Sequence, residues 1–135
     1  MGDLSKRFYA IKKDREFRFL FKKGSVCASY GFVCYFRPSK RRRNRCGIVT
    51  GKKIGNAVAR NRSRRIIREA FRIFDHELSA KMETRFDFVF VARDKTPSMK
   101  STQILGTMRS KLSPMLMGRA PENKNGKEQK NRTDD

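Results

Sequence analysis

The stretch GNAVARNRSRRIIREAFRIF, residues 55–74, decides how this chain folds and what it meets. Asn56 is a good helix N-cap, because its side-chain oxygen can accept from the backbone N–H groups left free in the first turn. Wound at about 100° per residue, the stretch divides into two sides. Ala59, Ser63, Ile66, Ile67, Ala70, Ile73 and Phe74 fall on one side, and Arg60, Asn61, Arg64, Arg65, Arg68 and Arg72 on the other. Arg62 stands apart at the boundary. The spacing therefore predicts a helix over 57–74 with an apolar back and an arginine face. Arg60/Arg64, Arg64/Arg68 and Arg68/Arg72 are like-charge pairs at i,i+4, each costing about 0.2–0.5 kcal/mol. Only Glu69 is nearby to relieve them. A helix facing water alone would intersperse glutamate, so the arginine face implies a polyanionic partner. Arginine in place of lysine favours phosphate, which its planar fork meets bidentately, and bases, on which it stacks. Spacing leaves open whether the helix meets a DNA groove or structured RNA.

The charge outside the helix supports the same reading. The chain has 135 residues, 34 Lys and Arg against 13 Asp and Glu, and a net charge of +21. From Phe17 to Arg68 there is no acidic residue and there are 16 basic ones, so +16 of the +21 lies in one continuous segment. A compact body this positive repels itself, and a small-molecule enzyme has no need of it. Hydrophobic residues make up 37% of the chain, including 11 Phe, enough for a small core and against full disorder. The length suits one domain, expected over residues 1–117, with 118–135 a disordered tail of mixed charge. No apolar run is long enough to span a bilayer, and Met1 to Tyr9 lacks the apolar core of a signal peptide. Cys27, Cys34 and Cys46 are an odd number without metal-ligand spacing, which reads as buried thiols in a reducing cytoplasm.

Working outward, Asp14 to Lys23 reads as a short helix with Phe17, Leu20 and Phe21 on one face and Gly24 at its end. Val26 to Phe36 reads as strand, with a break near Ser29 to Gly31, and parity puts Phe32, Cys34 and Phe36 opposite Val33 and Tyr35. Arg37 to Asn44 reads as a loop, Cys46 to Thr50 as a strand, and Gly51 to Gly55 as a turn. Phe86 to Ala92 is mostly apolar, rich in Phe and Val, and suits a central strand covered on both faces. A last helix opens at Pro97 or Ser98, with its stripe at Ile104, Met108 and Leu112. The order predicts an α+β fold, a two-layer sandwich of one small sheet with helices around a single core.

The residues Lys52-Lys53-Ile54-Gly55-Asn56-Ala57-Val58, Arg60-Asn61-Arg62 and Arg64-Arg65-Ile66-Ile67-Arg68-Glu69-Ala70-Phe71-Arg72 resemble the signature of the protein component of bacterial ribonuclease P. Phe17, Phe21 and Gly24 resemble its Phe-x-x-x-Phe-x-x-Gly, Phe32-Val33-x-Tyr35 its aromatic strand, and Phe86 to Arg93 its late apolar strand. The resemblance spans about residues 4 to 117. It implies a left-handed βαβ crossover, against the usual hand. It also implies a catalytic RNA partner that, with Mg²⁺ bound mainly by RNA, removes the 5′ leader of precursor tRNA; the protein would be a non-catalytic subunit, monomeric when alone. Carried over by position, Arg60, Asn61, Arg62, Arg64, Arg65 and Arg68, flanked by Lys52 and Lys53, would meet the RNA subunit. Phe17, Phe21 and Tyr35 would line a cleft for the leader. The Arg37 to Arg45 loop is more basic than the family requires.

Aromatic residues at i,i+4 usually belong to a core, and Phe17 and Phe21 taken alone read that way; the resemblance reverses this and leaves Phe19 and Leu20 as the inward candidates. No catalytic or metal-ligating residues are expected, since the basic segment holds no carboxylate and His76 is the single histidine. The rival reading is a ribosomal or general RNA-binding protein, against which the intact Arg-Asn-Arg motif discriminates.

Overall fold

A computed structural model of the protein describes residues 9–118; the tail expected from 118 onward lies, from residue 119, outside the described residues. The elements run α1 (Asp14–Lys23), β1 (Ser25–Ala28), β2 (Phe32–Ser39), β3 (Arg45–Val49), α2 (Ala57–Lys81), β4 (Arg85–Ala92), α3 (Ser101–Thr107) and α4 (Ser113–Leu116). Short 3₁₀ turns at Lys52–Ile54 and Thr96–Ser98 precede α2 and α3, and a π-helical stretch, Met108–Leu112, joins α3 to α4. The four strands form one mixed sheet in the order β1-β2-β4-β3. β1 and β2 form a hairpin, β2 pairs antiparallel with β4, and β3 pairs parallel with β4, so α2 is the crossover of a β3-α2-β4 unit. The fold is α+β, and β4 is interior, as its mostly apolar run, interrupted by Asp87, suggests. Beyond β3, Ala10 makes a parallel bridge to Cys46.

Strand parity separates the faces. Phe32, Cys34 and Phe36 of β2 share one face with Phe86, Phe88, Phe90 and Ala92 of β4 and with Cys27 and Cys46, all buried. The rings pack edge-on: Phe71–Phe88 centroids are 5.4 Å apart at 68°, and Phe32–Phe90 5.2 Å at 79°, a geometry favoured by the ring quadrupole. α2 covers this face with Ser63, Ile67, Ala70, Phe71, Phe74 and Leu78. Ile104, Leu105, Met108, Leu112 and Leu116 complete the cover. Pro114 lies inside this last helical run, where its ring opposes the carbonyl four residues back, and the wider π turn just before it makes room. All three thiols are free and buried; burial pushes Cys27 up to about 11 and the other two up as well.

Several boundaries move. The break at Ser29–Gly31 is real and makes two strands, and β2 continues through Arg37 to Ser39, shortening the expected loop. α2 runs seven residues past Phe74, because Leu78 extends the buried row of Phe71 and Phe74 by one more turn. Its buried face is also rotated from the expected one: Phe71 is 2% exposed, whereas Ile73, expected on the apolar side, is 37% exposed. The last helix begins at Ser101, since Thr96–Ser98 form a separate turn in which Thr96 donates to the Gly31 carbonyl oxygen.

Asn44 locks the end of α2 to the sheet. It is buried, donates to Asp75 Oδ1 at 2.7 Å and accepts from the Phe86 backbone N–H at 2.6 Å. Burial pushes the Asp75 carboxyl up, against the lowering effect of hydrogen bonds from Asn44 and Ser79. Asn44→Ala leaves the buried Phe86 N–H without its acceptor and Asp75 without its main donor. A loss of about 2–3 kcal/mol is expected in chemical denaturation; a change below about 0.5 kcal/mol would mean that water replaces the amide at no cost.

Candidate nucleic-acid interface

The sheet face turned away from α2 carries the residues expected to line a cleft. Paired residues share a face, so the register lays down three rows across it. Ala28, Val33, Val91 and Val49 form the first; Val26, Tyr35, Val89 and Gly47 the second; Arg37, Asp87 and Arg45 the third. α1 crosses over the middle row. Leu20 points straight down, 2% exposed, into a small cluster with Ile11 and Val89, against which Phe17, Tyr35, Val49 and Val91 pack. Phe17 and Phe21 emerge with Tyr35, beside the open valine row, and Phe19 emerges on the other flank with the charged row.

Gly47 explains why Phe17 sits where it does. A Cβ added there would meet the Phe17 ring at 2.5 Å, so the missing side chain is the seat of the ring. Glycine inside a strand is the sequence signal for such a close approach. Gly24 acts in a related way: its φ is −78°, and what requires glycine is a Cβ position 2.6 Å from the Leu20 carbonyl oxygen and 3.2 Å from that of Phe36. Gly47→Ala is expected to push the Phe17 ring outward and to cost about 1–3 kcal/mol. A changed Phe17 ring environment in NMR spectra checks it; an unmoved ring with unchanged stability would contradict the seat.

Phe21 is 41% exposed, and its ring stands edge-on to Tyr35 with centroids 4.9 Å apart. Phe17 is half-buried. The two rings and Tyr35 therefore sit together on this face with part of their surface free and part packed. The expectation for Phe19 is overturned: it is 51% exposed, and Leu20 alone of the pair packs inward. Four side chains of the helix had to share one narrow contact with the sheet, and the register gave that contact to the residue above Val89. At the far end of the valine row, the lining of a groove of about 700 Å³ includes Val49, Val91, Lys52, Lys53, Arg93 and the one carboxylate Asp94. Lys52 and Lys53 are exposed there, and the chain passes directly from them into α2.

The Asn56 side chain accepts from the Ala59 N–H at 3.0 Å, which starts α2. Asn61, Arg62, Arg65 and Arg68 are exposed, while Arg60 and Arg64 are half-buried at the edge of the packed face. Arg64 donates to Asn61 Oδ1 at 3.0 Å, so the asparagine of the Arg-Asn-Arg motif orients a neighbouring arginine. Sequence reasoning missed three contributors: Gly47, Arg93 as part of the groove, and the ion-pair network under α1. In that network Arg45 pairs with Asp87 at 2.9 Å and with Glu16 at 3.1 Å. Its hydrogen bond, with Arg41 nearby, holds the Glu16 carboxyl below the usual carboxylate range. Among the described residues no group of three or more His, Cys, Asp and Glu is placed to hold a metal ion. Glu16 and Asp87 are taken up by Arg45, and the groove by Lys52 and Lys53 has one lining carboxylate, Asp94, beside three cations, so this donor set does not suit Mg²⁺. No helix among the described residues is long and apolar enough to cross a membrane.

The cationic helix and the partly exposed aromatic rings lie in a chain of strongly positive charge, a combination found in proteins that meet polyanions. The comparisons give that class its family. The family model for Ribonuclease P matches residues 5–115. The chain is 38% identical over 112 residues to the ribonuclease P protein component of Oceanobacillus iheyensis, covering 82% of this chain and 86% of that one. It is 33% identical over 117 residues to that of a Thermoanaerobacter species, covering 85% and 97%. Among solved structures, Staphylococcus aureus RNase P protein superposes with a TM-score of 0.67 at 33% identity, covering 81% of this chain and 96% of that one. The Thermotoga maritima RNase P protein gives 0.61 at 29%, covering 82% and 96%. This chain belongs to the ribonuclease P protein family.

Proposed function

We propose that this chain serves as the protein subunit of a bacterial ribonuclease P in the cytoplasm, assisting Mg²⁺-dependent removal of the 5′ leader from precursor tRNA. Catalysis then lies in the RNA subunit. The arginine face of α2, with Arg60, Asn61, Arg62, Arg64, Arg65 and Arg68, binds that RNA, and Lys52 and Lys53 carry the contact toward the substrate. Phe17, Phe21 and Tyr35 hold the single-stranded leader. The observation that carries this reading is the partly exposed Phe21–Tyr35 pair on the sheet face whose valine row leads to the groove with Lys52, Lys53 and Arg93. Ring faces stack on bases of any sequence, which suits a cleft that must accept many different leaders. The lysines add a salt-sensitive attraction to phosphate.

The test compares precursor tRNA with leaderless tRNA as ligands of the reconstituted holoenzyme. Phe21→Ala is expected to weaken the leader-containing ligand by about 1–3 kcal/mol, roughly fivefold to a hundredfold, and to leave leaderless tRNA nearly unchanged. Phe17→Ala follows the same pattern with an added loss of stability from its empty seat over Gly47. Equal losses for both ligands would reassign these rings to packing.

A further inference from the structure

The flank of α1 opposite the cleft holds a second groove, of about 720 Å³, between α1 and the end of β2 with the turn after it. Its lining includes Phe19, Pro38, Arg15, Arg37, Lys40 and Arg41. The Arg37 guanidinium lies 5.0 Å from the Phe19 ring centroid and donates to the Lys23 carbonyl oxygen at 3.3 Å, so both planar groups are held in place. Half of Phe19 remains open to solvent. Glu16 and Asp87, the two carboxylates in the lining, are already bound by Arg45. Arg41 reaches Glu16 only at 3.4 Å and is itself exposed, a weak pair that a phosphate can displace. Beside the groove, Lys40, Arg41, Arg42 and Arg43 are four consecutive exposed cations. The fold uses few of them: Arg43 lies 4.7 Å from the Tyr9 ring centroid, and Arg41 makes the contact just described.

We propose that this groove is a second RNA site, which takes an unpaired nucleotide of the RNA subunit. The base stacks on the open part of Phe19, backed by Arg37, and its phosphates meet Arg15, Lys40 and Arg41. A planar ring joined to a guanidinium suits a flat base, and the surrounding cations suit its backbone. The RNA subunit is favoured over the leader because α1, packed on the sheet through Leu20, stands between this groove and the cleft. A leader seated in the cleft would have to pass around the helix to reach it. The inference rests on the partner being the ribonuclease P RNA.

The experiment measures binding of the full-length protein to ribonuclease P RNA alone, across salt concentrations, together with nucleotide protection on that RNA. Phe19→Ala is expected to weaken binding roughly fivefold or more and to remove protection at one unpaired segment. Phe19→Tyr, which keeps the stacking surface, should restore both. Lys40→Ala with Arg41→Ala should lower the salt slope by about two. In all these variants the ratio of affinities for precursor and leaderless tRNA should stay as in the wild type. Wild-type RNA affinity and protection in folded Phe19→Ala would overturn the proposal. A loss seen only with leader-bearing substrate would overturn it in favour of the leader's distal end. Failure of the unsubstituted protein to bind the RNA would instead sink the proposed function.

Discussion

Replacing Arg62 and Arg65 together by alanine is expected to weaken binding of the protein to ribonuclease P RNA roughly a hundredfold, at about 1.5 kcal/mol for each charge-assisted contact. Both side chains are exposed on α2, on the side away from the packed row of Ile67, Phe71 and Phe74. They are better probes than Arg60, which is half-buried at the edge of the core face and would mix packing with binding. The slope of log K against log salt should fall by about two as two phosphate contacts disappear. Thermal stability should hold or rise slightly, because alanine is the strongest helix former and the exposed like charges around them are relieved. Binding and salt slope unchanged from wild type would remove α2 as the RNA interface, whatever its composition.

Phe88→Ala should act in the opposite way, through the fold alone. Phe88 is fully buried at the centre of β4. Its ring neighbours those of Phe71 at 5.4 Å, Phe86 at 5.8 Å, Phe90 at 5.9 Å, Phe74 at 6.4 Å and Phe36 at 6.5 Å. Truncation removes the ring's burial and leaves a cavity that five rigid rings cannot collapse to fill, at a cost of about 3–5 kcal/mol. That is a third or more of the stability of an ordinary small domain. Denaturation at constant m should report it. Phe21→Ala, with its ring 41% exposed, should cost far less, so the pair separates the aromatic core from the aromatic cleft. Comparable losses from the two variants would contradict the division of rings between the two sheet faces.

Part of that division is legible in the sequence alone. The alternation in Phe32-Val33-Cys34-Tyr35-Phe36 placed Tyr35 away from the main core, and parity in a strand depends only on the pleat. The start of α2 was equally local, since Asn56 caps through its own side chain. The extent of α2 was not. The expected helix stops at Phe74, and the contacts that Asp75, Glu77 and Ser79 make beyond it, to Asn44 and Arg109, come from segments more than 30 residues away. Phe71 was masked for the same reason: helical angle gives relative directions around an axis, while the sheet decides which direction is inward. The Arg37–Arg45 region read as a charged loop because nothing local shows that Arg45 lies between Glu16 and Asp87, 29 and 42 residues distant.

The sequence by itself determined the α+β class, the cationic helix with its apolar back, and the family. Each is written in short-range periodicity, capping chemistry and charge, which act within a few residues. Only the tertiary structure decided which of the aromatic side chains of α1 remain open. Phe17, Phe19, Leu20 and Phe21 are close in hydrophobicity, and the contact with the sheet had room for one of them to point straight down. The row of Tyr35, Val89 and Gly47 gave that place to Leu20, let Phe17 rest over a missing side chain, and turned Phe21 and Phe19 outward to opposite flanks. Burial is a property of what lies across the gap, and the residues across this gap come from three strands far along the chain.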